Sequence, residues 1–264
     1  MRKLIKNILL KFRFFVSIID KEHYDKLIFF LDKTRPLQTN HQLIRIGSDY
    51  DGGYLIPNDL DQVKYCFSPG VSDNISFETQ LSKDYKINSF LCDYSVSAPP
   101  NDVEGHTFIK KFLGTKIDSE NITLQNWINT YAPNEKNMIL QMDIEGSEYD
   151  VLLDVQNNVL DEFRIIIIEF HHFSQILTPL GFKMLNLVFD KLLKNHSIVH
   201  IHPNNVGNST KFKDLEIPEI LEFTFLNNNR IDQSRFNYNF PHDLDMDNDI
   251  RYSSKPLPKC FYEN

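Results

Sequence analysis

Two stretches of this 264-residue chain bring carboxylates and imidazoles to places where chemistry is done. The first, residues 137–153, reads NMILQMDIEGSEYDVLL. Met138 to Leu140 and Met142, broken only by Gln141, form too short a run for a helix of their own and read as a strand buried on both faces. That strand ends on Asp143, with Glu145 and Gly146 next. Ser147 is a candidate N-cap, and Tyr149, Val151, Leu152 and Leu153 open a helix. In an open α/β sheet, ligands bind outside the carboxyl ends of the strands. Two carboxylates at such an end cost desolvation energy unless they bind something. The second stretch, residues 163–172, is FRIIIIEFHH. It reads as a strand running into Glu169, His171 and His172, and alternation puts Glu169 and His171 on one face and His172 on the other. Carboxylates and imidazoles in one place suit proton transfer or, together, a divalent cation.

A sheet is needed to carry these groups. Residues 63–67 (VKYCF) read as its first core strand, and Ser68-Pro69-Gly70-Val71-Ser72-Asp73 as a glycine turn into a helix begun by Ile75, Phe77 and Leu81. Free backbone N–H groups at such a turn hold a carboxylate or a ribose. One glycine is too few for the G-x-G-x-x-G of a pyrophosphate turn. Residues 87–92 (INSFLC) form the second strand, ending at Asp93 just over twenty residues beyond the glycine turn, where Rossmann-like folds bond ribose hydroxyls. A plain strand-end turn is the alternative. Residues 108–113 are a candidate third strand and 122–131 an amphipathic helix in which Trp127 is core. Ahead of these, LIRIGSDYDGGYLIP at 43–57 reads as a hairpin whose paired glycines also allow close approach to a ligand, so Asp51 and Gly53 are kept as cofactor candidates.

MDIEGSEYDVLL resembles the D-x-E-G-x-E-x-x-x-L signature of the FkbM-like family of S-adenosylmethionine-dependent methyltransferases, over roughly residues 43–229. The resemblance implies a class I, Rossmann-like α/β sheet, mostly parallel with one antiparallel strand and helices on both faces. It implies S-adenosylmethionine as cofactor and O-methylation of a sugar hydroxyl in a nucleotide-activated sugar or surface glycan. It also places Gly70 and Asp93, with Asp51 and Gly53, at the cofactor. Ser68 departs from the pattern, since an acidic residue often closes that strand and faces the methionyl ammonium. In the implied strand order the Asp143 and Glu169 strands are neighbours, roughly 4.8 Å apart. Asp143, Glu169 and His171 then converge as a ligand set for a divalent metal, iron or manganese before magnesium because an imidazole is included. Glu145 or His172 is the general base. The competing account is metal-free, with Glu145 or a histidine taking the proton directly. His200 and His202 share one face of an edge strand at 197–202, with residues 221–226 (LEFTFL) inserted antiparallel beside it. His202 and Asn204 are then substrate contacts.

The composition sets bounds. Lys+Arg 28 against Asp+Glu 36 gives a net charge of −8, which argues against a general nucleic-acid binder. Cys66, Cys92 and Cys260 lack metal-ligand spacing and fit a reducing, cytoplasmic setting. Residues 1–40 read as a basic, helical extension. Its first 19 residues carry Ile5, Ile8, Phe12, Phe15 and Ile19 at helical spacing, too often interrupted by charge to span a bilayer. That helix lies either on the inner face of a membrane or against the domain or a homodimer partner. Residues 41–229 form the catalytic domain and 230–264 a polar extension. In that extension Asp245-Met246-Asp247 matches the D-x-D of metal-dependent glycosyltransferases, the alternative enzyme reading. A non-catalytic partner-binding domain is the third.

Overall fold

The structure is a computed structural model in which residues 21–99 and 104–263 are described. The amphipathic stretch 1–19 lies outside them. Seven strands make the central sheet: β1 (Tyr65–Pro69), β2 (Asn88–Cys92), β3 (His106–Ile109), β4 (Met138–Met142), β5 (Phe163–Phe170), β6 (His196–Pro203) and β7 (Leu221–Asn227). Their order is β6-β7-β5-β4-β1-β2-β3. β7 runs antiparallel to both its neighbours, while β5, β4, β1, β2 and β3 are parallel in turn. This is the expected Rossmann-like class I sheet with one reversed strand. The chain reverses direction of travel between β1 and β4, and ligands of open α/β sheets collect at such a switch point.

The isoleucine run of β5 shows why the sheet needs cover on both sides. Ile165 and Ile167 face one way, with Phe77 and Leu81 of α2 (Ser76–Tyr85) and with Tyr54 and Ile56 of the hairpin Leu43–Gly47/Gly53–Pro57. Ile166, Ile168 and Phe170 face the other way, toward α1 (Lys21–Lys33), α3 (Leu124–Tyr131), α4 (Glu148–Asp154) and α5 (Pro179–Leu192). There Phe170, Phe173, Phe189 and Phe223 meet with ring centroids 5.1–6.4 Å apart, the spacing of favourable edge and offset contacts. Trp127 is fully buried against Phe67, 5.0 Å away and perpendicular to it.

Three sequence expectations shift. β1 starts two residues later than expected, because Val63 closes a turn onto the Leu60 carbonyl, and it continues through Ser68 and Pro69 opposite Leu91 and Cys92. The stretch 108–113 is not one strand. The Lys111 N–H turns back to the Ile109 carbonyl, so β3 stops there and Phe112–Leu113 pairs instead with Asn121–Ile122. The following helix therefore begins at Leu124, capped by Thr123, whose hydroxyl accepts from Asn126 N–H at 3.3 Å.

The polar stretch after residue 229 is built into the domain. Ser234–Phe236 pairs with Leu37–Thr39, and Leu257, Phe261 and Tyr262 lie in the main core. Among the described residues no helix is long and apolar enough to cross a membrane. Phe261 is fully buried, so Phe261→Ala leaves a cavity that its rigid neighbours cannot fill. Urea denaturation is expected to show a loss of about 3–5 kcal/mol. A loss below about 1 kcal/mol would mean that this segment is not part of the core.

Candidate active site

The ends of β1, β4 and β5 lie side by side. Asp143 N–H donates to the Pro69 carbonyl at 3.3 Å, and Gly70 N–H to the Cys92 carbonyl at 2.9 Å. A Cβ on Gly70 would stand 1.6 Å from the Asp143 carbonyl oxygen, and its φ is +86°, so only glycine lets the two strand ends close. Gly53 is different. A Cβ there would strike Ser48 O at 2.0 Å, so its missing side chain serves the hairpin's own closure. Asp51, beside it, does reach the site and lines both smaller cavities described below.

After Asp143 the backbone turns through two left-handed residues, Glu145 (φ +56°) and Gly146 (φ +102°). Ser147 was the expected cap of α4, but its side chain makes no capping bond. Glu148, fully buried, instead ties the turn before the helix. Its Oε1 accepts from the N–H of Ile144 (3.1 Å) and of Gly146 (3.0 Å) and meets His171 Nδ1 at 3.2 Å. Tyr149 hydroxyl donates to the His171 carbonyl at 2.7 Å. His171 Nε2 is thereby aimed at the other carboxylates: 3.3 Å from Glu145, 3.5 Å from Glu169 and 3.9 Å from Asp143. Sequence reasoning passed over Glu148; the available signal was an acid on the buried face of an apolar helix.

His172 goes elsewhere. It is left-handed (φ +54°), its ring is largely exposed, and its Nδ1 bonds Glu219 at 3.1 Å. Nδ1 is thus turned to Glu219, while the other edge of the ring lies beside Gly146 of the Asp143 turn. Asp143, Glu145 and His171 offer donor atoms within 4.8 Å of one another. Glu169, expected in that set, stands beside it, with one oxygen 3.5 Å from His171 Nε2 and accepting from Asn204 at 3.2 Å.

Three connected cavities meet at Asp143 and Glu145. The largest, about 530 Å³, runs from Gly70 and Asp93 past Phe112, Leu113 and Gly114 to Ile144 and Val151. This volume is of the size that takes a nucleoside-sized ligand. Asp93 lies on its wall, but its carboxylate already accepts from Ser72 N–H (2.9 Å) and from Ser95 N–H and Oγ (2.7 and 2.6 Å). A carboxylate has about four acceptor sites, which leaves one for a ribose hydroxyl. A second cavity, about 140 Å³, lies under Gly52 and Tyr54 and is floored by Glu78 and Gln141. Here the missing acid of β1 is found: Ser68 closes the strand, and Glu78 reaches back from α2 to bond its hydroxyl. The third, about 300 Å³, is lined by Asp51, Asp143, Glu145, Glu169, His171 and Asn204, with Asn248 and Asp249 of the C-terminal segment.

His202 is not on that wall. It lies deeper, near Asp245, and leaves Asn204 as the member of the pair that reaches the cavity. The D-x-D pair diverges as well: Asp245 turns in toward His200, 2.8 Å away, and Asp247 bonds Ser254. A glycosyltransferase D-x-D must hold one ion with both carboxylates, and these two have different partners.

Burial pushes Asp143 up to about 7, reinforced by Glu145, Asp51 and Glu148 and opposed by His171. Burial raises Glu169 further, with Asp143 and Glu222 adding to it. For His171 burial works downward, but the Glu148 bond and charge and the charges of Asp143 and Glu145 outweigh it, so the imidazole is raised. Asp143 Oδ1 and Glu169 Oε2 are buried without a hydrogen-bond partner. The site is rich in acceptors and short of donors.

Glu78 gives a test free of any ligand. Burial lifts its carboxyl from 4.5 to about 7. The unfolded chain releases this proton near 4.5 while the native protein still holds it, so stability falls as pH rises between the two values. Glu78→Gln keeps the shape and removes the titration. It is expected to flatten that slope and to stabilise the protein by up to roughly 3 kcal/mol above about pH 8, with no gain near pH 4. Equal slopes in urea titrations of the two proteins would refute it.

Residues 75–197 match the family model described as Methyltransferase FkbM domain. That span runs from the start of α2 into β6, and holds Asp93, the Asp143–Glu148 turn and Glu169 to His172. No curated protein matches the chain. Among solved structures, one chain of the crystal structure of a fibrillarin/Nop5p complex is 10% identical, with 73% of this chain and 98% of that chain covered at a TM-score of 0.39. The acid at the end of β2 and the Asp143 turn lie within the stretch that is similar to that family, with the glycine turn just before it, and the protein is an S-adenosylmethionine-dependent methyltransferase.

Proposed function

We propose that the enzyme O-methylates a hydroxyl of a neutral or amino sugar in a glycan or glycan precursor. One observation carries this reading: the 300 Å³ cavity shares Asp143 and Glu145 with the 530 Å³ cleft, so an acceptor seated in one meets a cofactor seated in the other. Acceptors crowd the smaller cavity's wall, and a sugar's hydroxyl donors suit them. The same carboxylates repel a diphosphate, so any nucleotide portion of the acceptor must lie outside this cavity.

In this reading the backbone at Gly70 and the side chain of Glu78 hold the methionyl end of the cofactor, and Asp93 bonds its ribose. Phe112, Leu113 and Val151 bound the base. When bound, S-adenosylmethionine supplies an electrophilic methyl group on a sulfonium sulfur. Asp143 and Asn204 orient the sugar. His171 Nε2 takes the hydroxyl proton, while Glu148 holds Nδ1 and stabilises the imidazolium that forms, as a buried carboxylate does in a catalytic dyad. Glu145, at the mouth, passes the proton on to solvent.

A second reading rests on the donor set itself. Asp143, Glu145 and His171 fit a divalent ion: their donor atoms lie within 4.8 Å, one Asp143 oxygen is orphaned, and the Glu148–His171 pair is the arrangement that orients a metal-ligating imidazole. Two carboxylates and an imidazole suit manganese or iron before magnesium. An ion there would acidify a bound hydroxyl.

Asp93→Ala is expected to weaken S-adenosylhomocysteine binding about tenfold, roughly 1.4 kcal/mol, without unfolding. Unchanged affinity by calorimetry would remove Asp93 from the cofactor site. His171→Gln should lower kcat by about 10²–10⁴-fold while S-adenosylhomocysteine still binds. Turnover of sugar acceptors at the wild-type rate in that variant would end the His171 assignment. Exhaustive chelation separates the two readings. Retained activity selects the direct base, whereas loss reversed by manganese or iron, with neither of these two metals retained in Asp143→Ala, selects the ion.

A further inference from the structure

A second group of potential ligands lies apart from the methyl-transfer site. His200 and His202 project from one face of β6, and Asp245 meets them from the C-terminal segment, with donor atoms of all three within 4.8 Å of one another. Glu169, Glu222 and His202 are opposite one another across β5, β7 and β6, so His202 stands two strand spacings, roughly 10 Å, from Glu169. His200 Nε2 is 2.8 Å and His202 Nδ1 3.5 Å from the same Asp245 oxygen. The other Asp245 oxygen accepts from His242 N–H at 2.8 Å, which turns Oδ1 toward the two rings.

We propose that His200, His202 and Asp245 bind a divalent transition ion, zinc by its donor preference, which fastens the C-terminal segment to the edge of the sheet. The His200 side chain is 3% and the His202 side chain 11% exposed, and both nitrogens of His202 and Nδ1 of His200 lack a hydrogen-bond partner. Buried imidazole nitrogens left without a partner are costly, and an ion takes up the His202 lone pair that faces Asp245. Glu222 adds a second buried carboxyl beside His202. Arg45, the cation whose charge reaches His202 and Glu222, is committed to the carbonyls of Ser48 and Tyr50. Two imidazoles and one carboxylate suit zinc and exclude the all-oxygen preference of magnesium. Ligands 2.0–2.1 Å from a tetrahedral zinc stand about 3.4 Å apart, so the His200–Asp245 pair opens by a few tenths of an ångström and a water completes the shell.

The test uses the full chain carrying Asp143→Ala, which blanks the ligand set of the methyl-transfer site. After stripping with chelator and reloading, elemental analysis is expected to find one zinc per chain. Cobalt in its place should give the visible absorption of a low-symmetry, nitrogen-ligated site, and zinc but not magnesium should raise Tm. Adding Asp245→Asn or His202→Gln, each close in shape to the original, should abolish all three signals while circular dichroism remains native. A folded Asp143→Ala protein that retains neither zinc nor cobalt would overturn the site. So would full retention in Asp143→Ala/Asp245→Asn and in Asp143→Ala/His202→Gln. If both added variants fail to fold, the zinc and cobalt results on Asp143→Ala decide alone.

Discussion

One buried carboxyl group holds the centre of this molecule together. Glu148 enters α4 with no exposed surface, and its Oε1 serves three partners: two backbone N–H groups of the turn before it and the imidazole of His171 from the next strand. Burying such a group is costly unless it is bonded, and here the bonds also shape the site. They fold the left-handed Glu145–Gly146 corner back onto the helix start, which lifts Glu145 out to the rim. They fix which imidazole nitrogen of His171 carries the proton, and so which one faces the cavity. Removing Glu148 would free the turn and the imidazole at once.

The charge of the site follows from where β1, β4 and β5 end. Parallel strands 4.8 Å apart deliver whatever residues close them to one small volume. Asp143 and Glu169 come from neighbouring strand ends, Asp51 from the hairpin laid across them, and Glu222 from β7. None of these carboxylates has an arginine or lysine ion pair among the described residues. His171 is the base that faces Asp143, and its raised basicity and the raised Asp143 are two sides of one exchange of protons in a confined space. A positively charged sulfonium cofactor at this edge is electrostatically favoured, and so is an acceptor that arrives neutral or cationic.

Much of this was legible in the chain. The isoleucine run fixed β5 to the residue, and the apolar stretch before Asp143 fixed β4, because strands buried on both faces have no polar alternation to confuse their limits. Gly70 and Asp93 read correctly as strand-end residues because a glycine turn and an acid are local features. The side chains that reach across the fold were not legible. Glu78 and Glu148 look like ordinary helical acids, and only the tertiary arrangement turns them inward. The direction of the His172 ring was not legible either, because period-two alternation ends with β5 and the chain is left-handed two residues later. A paired glycine such as Gly52-Gly53 shows that backbone comes close to something, not to what.

The C-terminal segment is the part that sequence polarity misrepresented most. Its asparagines and aspartates suggested a solvated appendage, yet they are used as acceptors and donors against the rim of the sheet. Asn248 bonds Glu222 at 2.7 Å, Asp51 N–H donates to the Asn248 carbonyl at 3.1 Å, and Asn205 donates to the Asp249 carbonyl at 2.8 Å. Those three bonds join β7, the hairpin and the loop after β6, the three elements that wall the acceptor cavity. Phe261 and Leu257 then anchor the far end in the core, so the wall is held at both ends. An acceptor cavity built this way takes its shape from residues outside the 75–197 domain, so a chain with the same Asp143 turn and a different C-terminal segment would present its cofactor to a differently shaped acceptor.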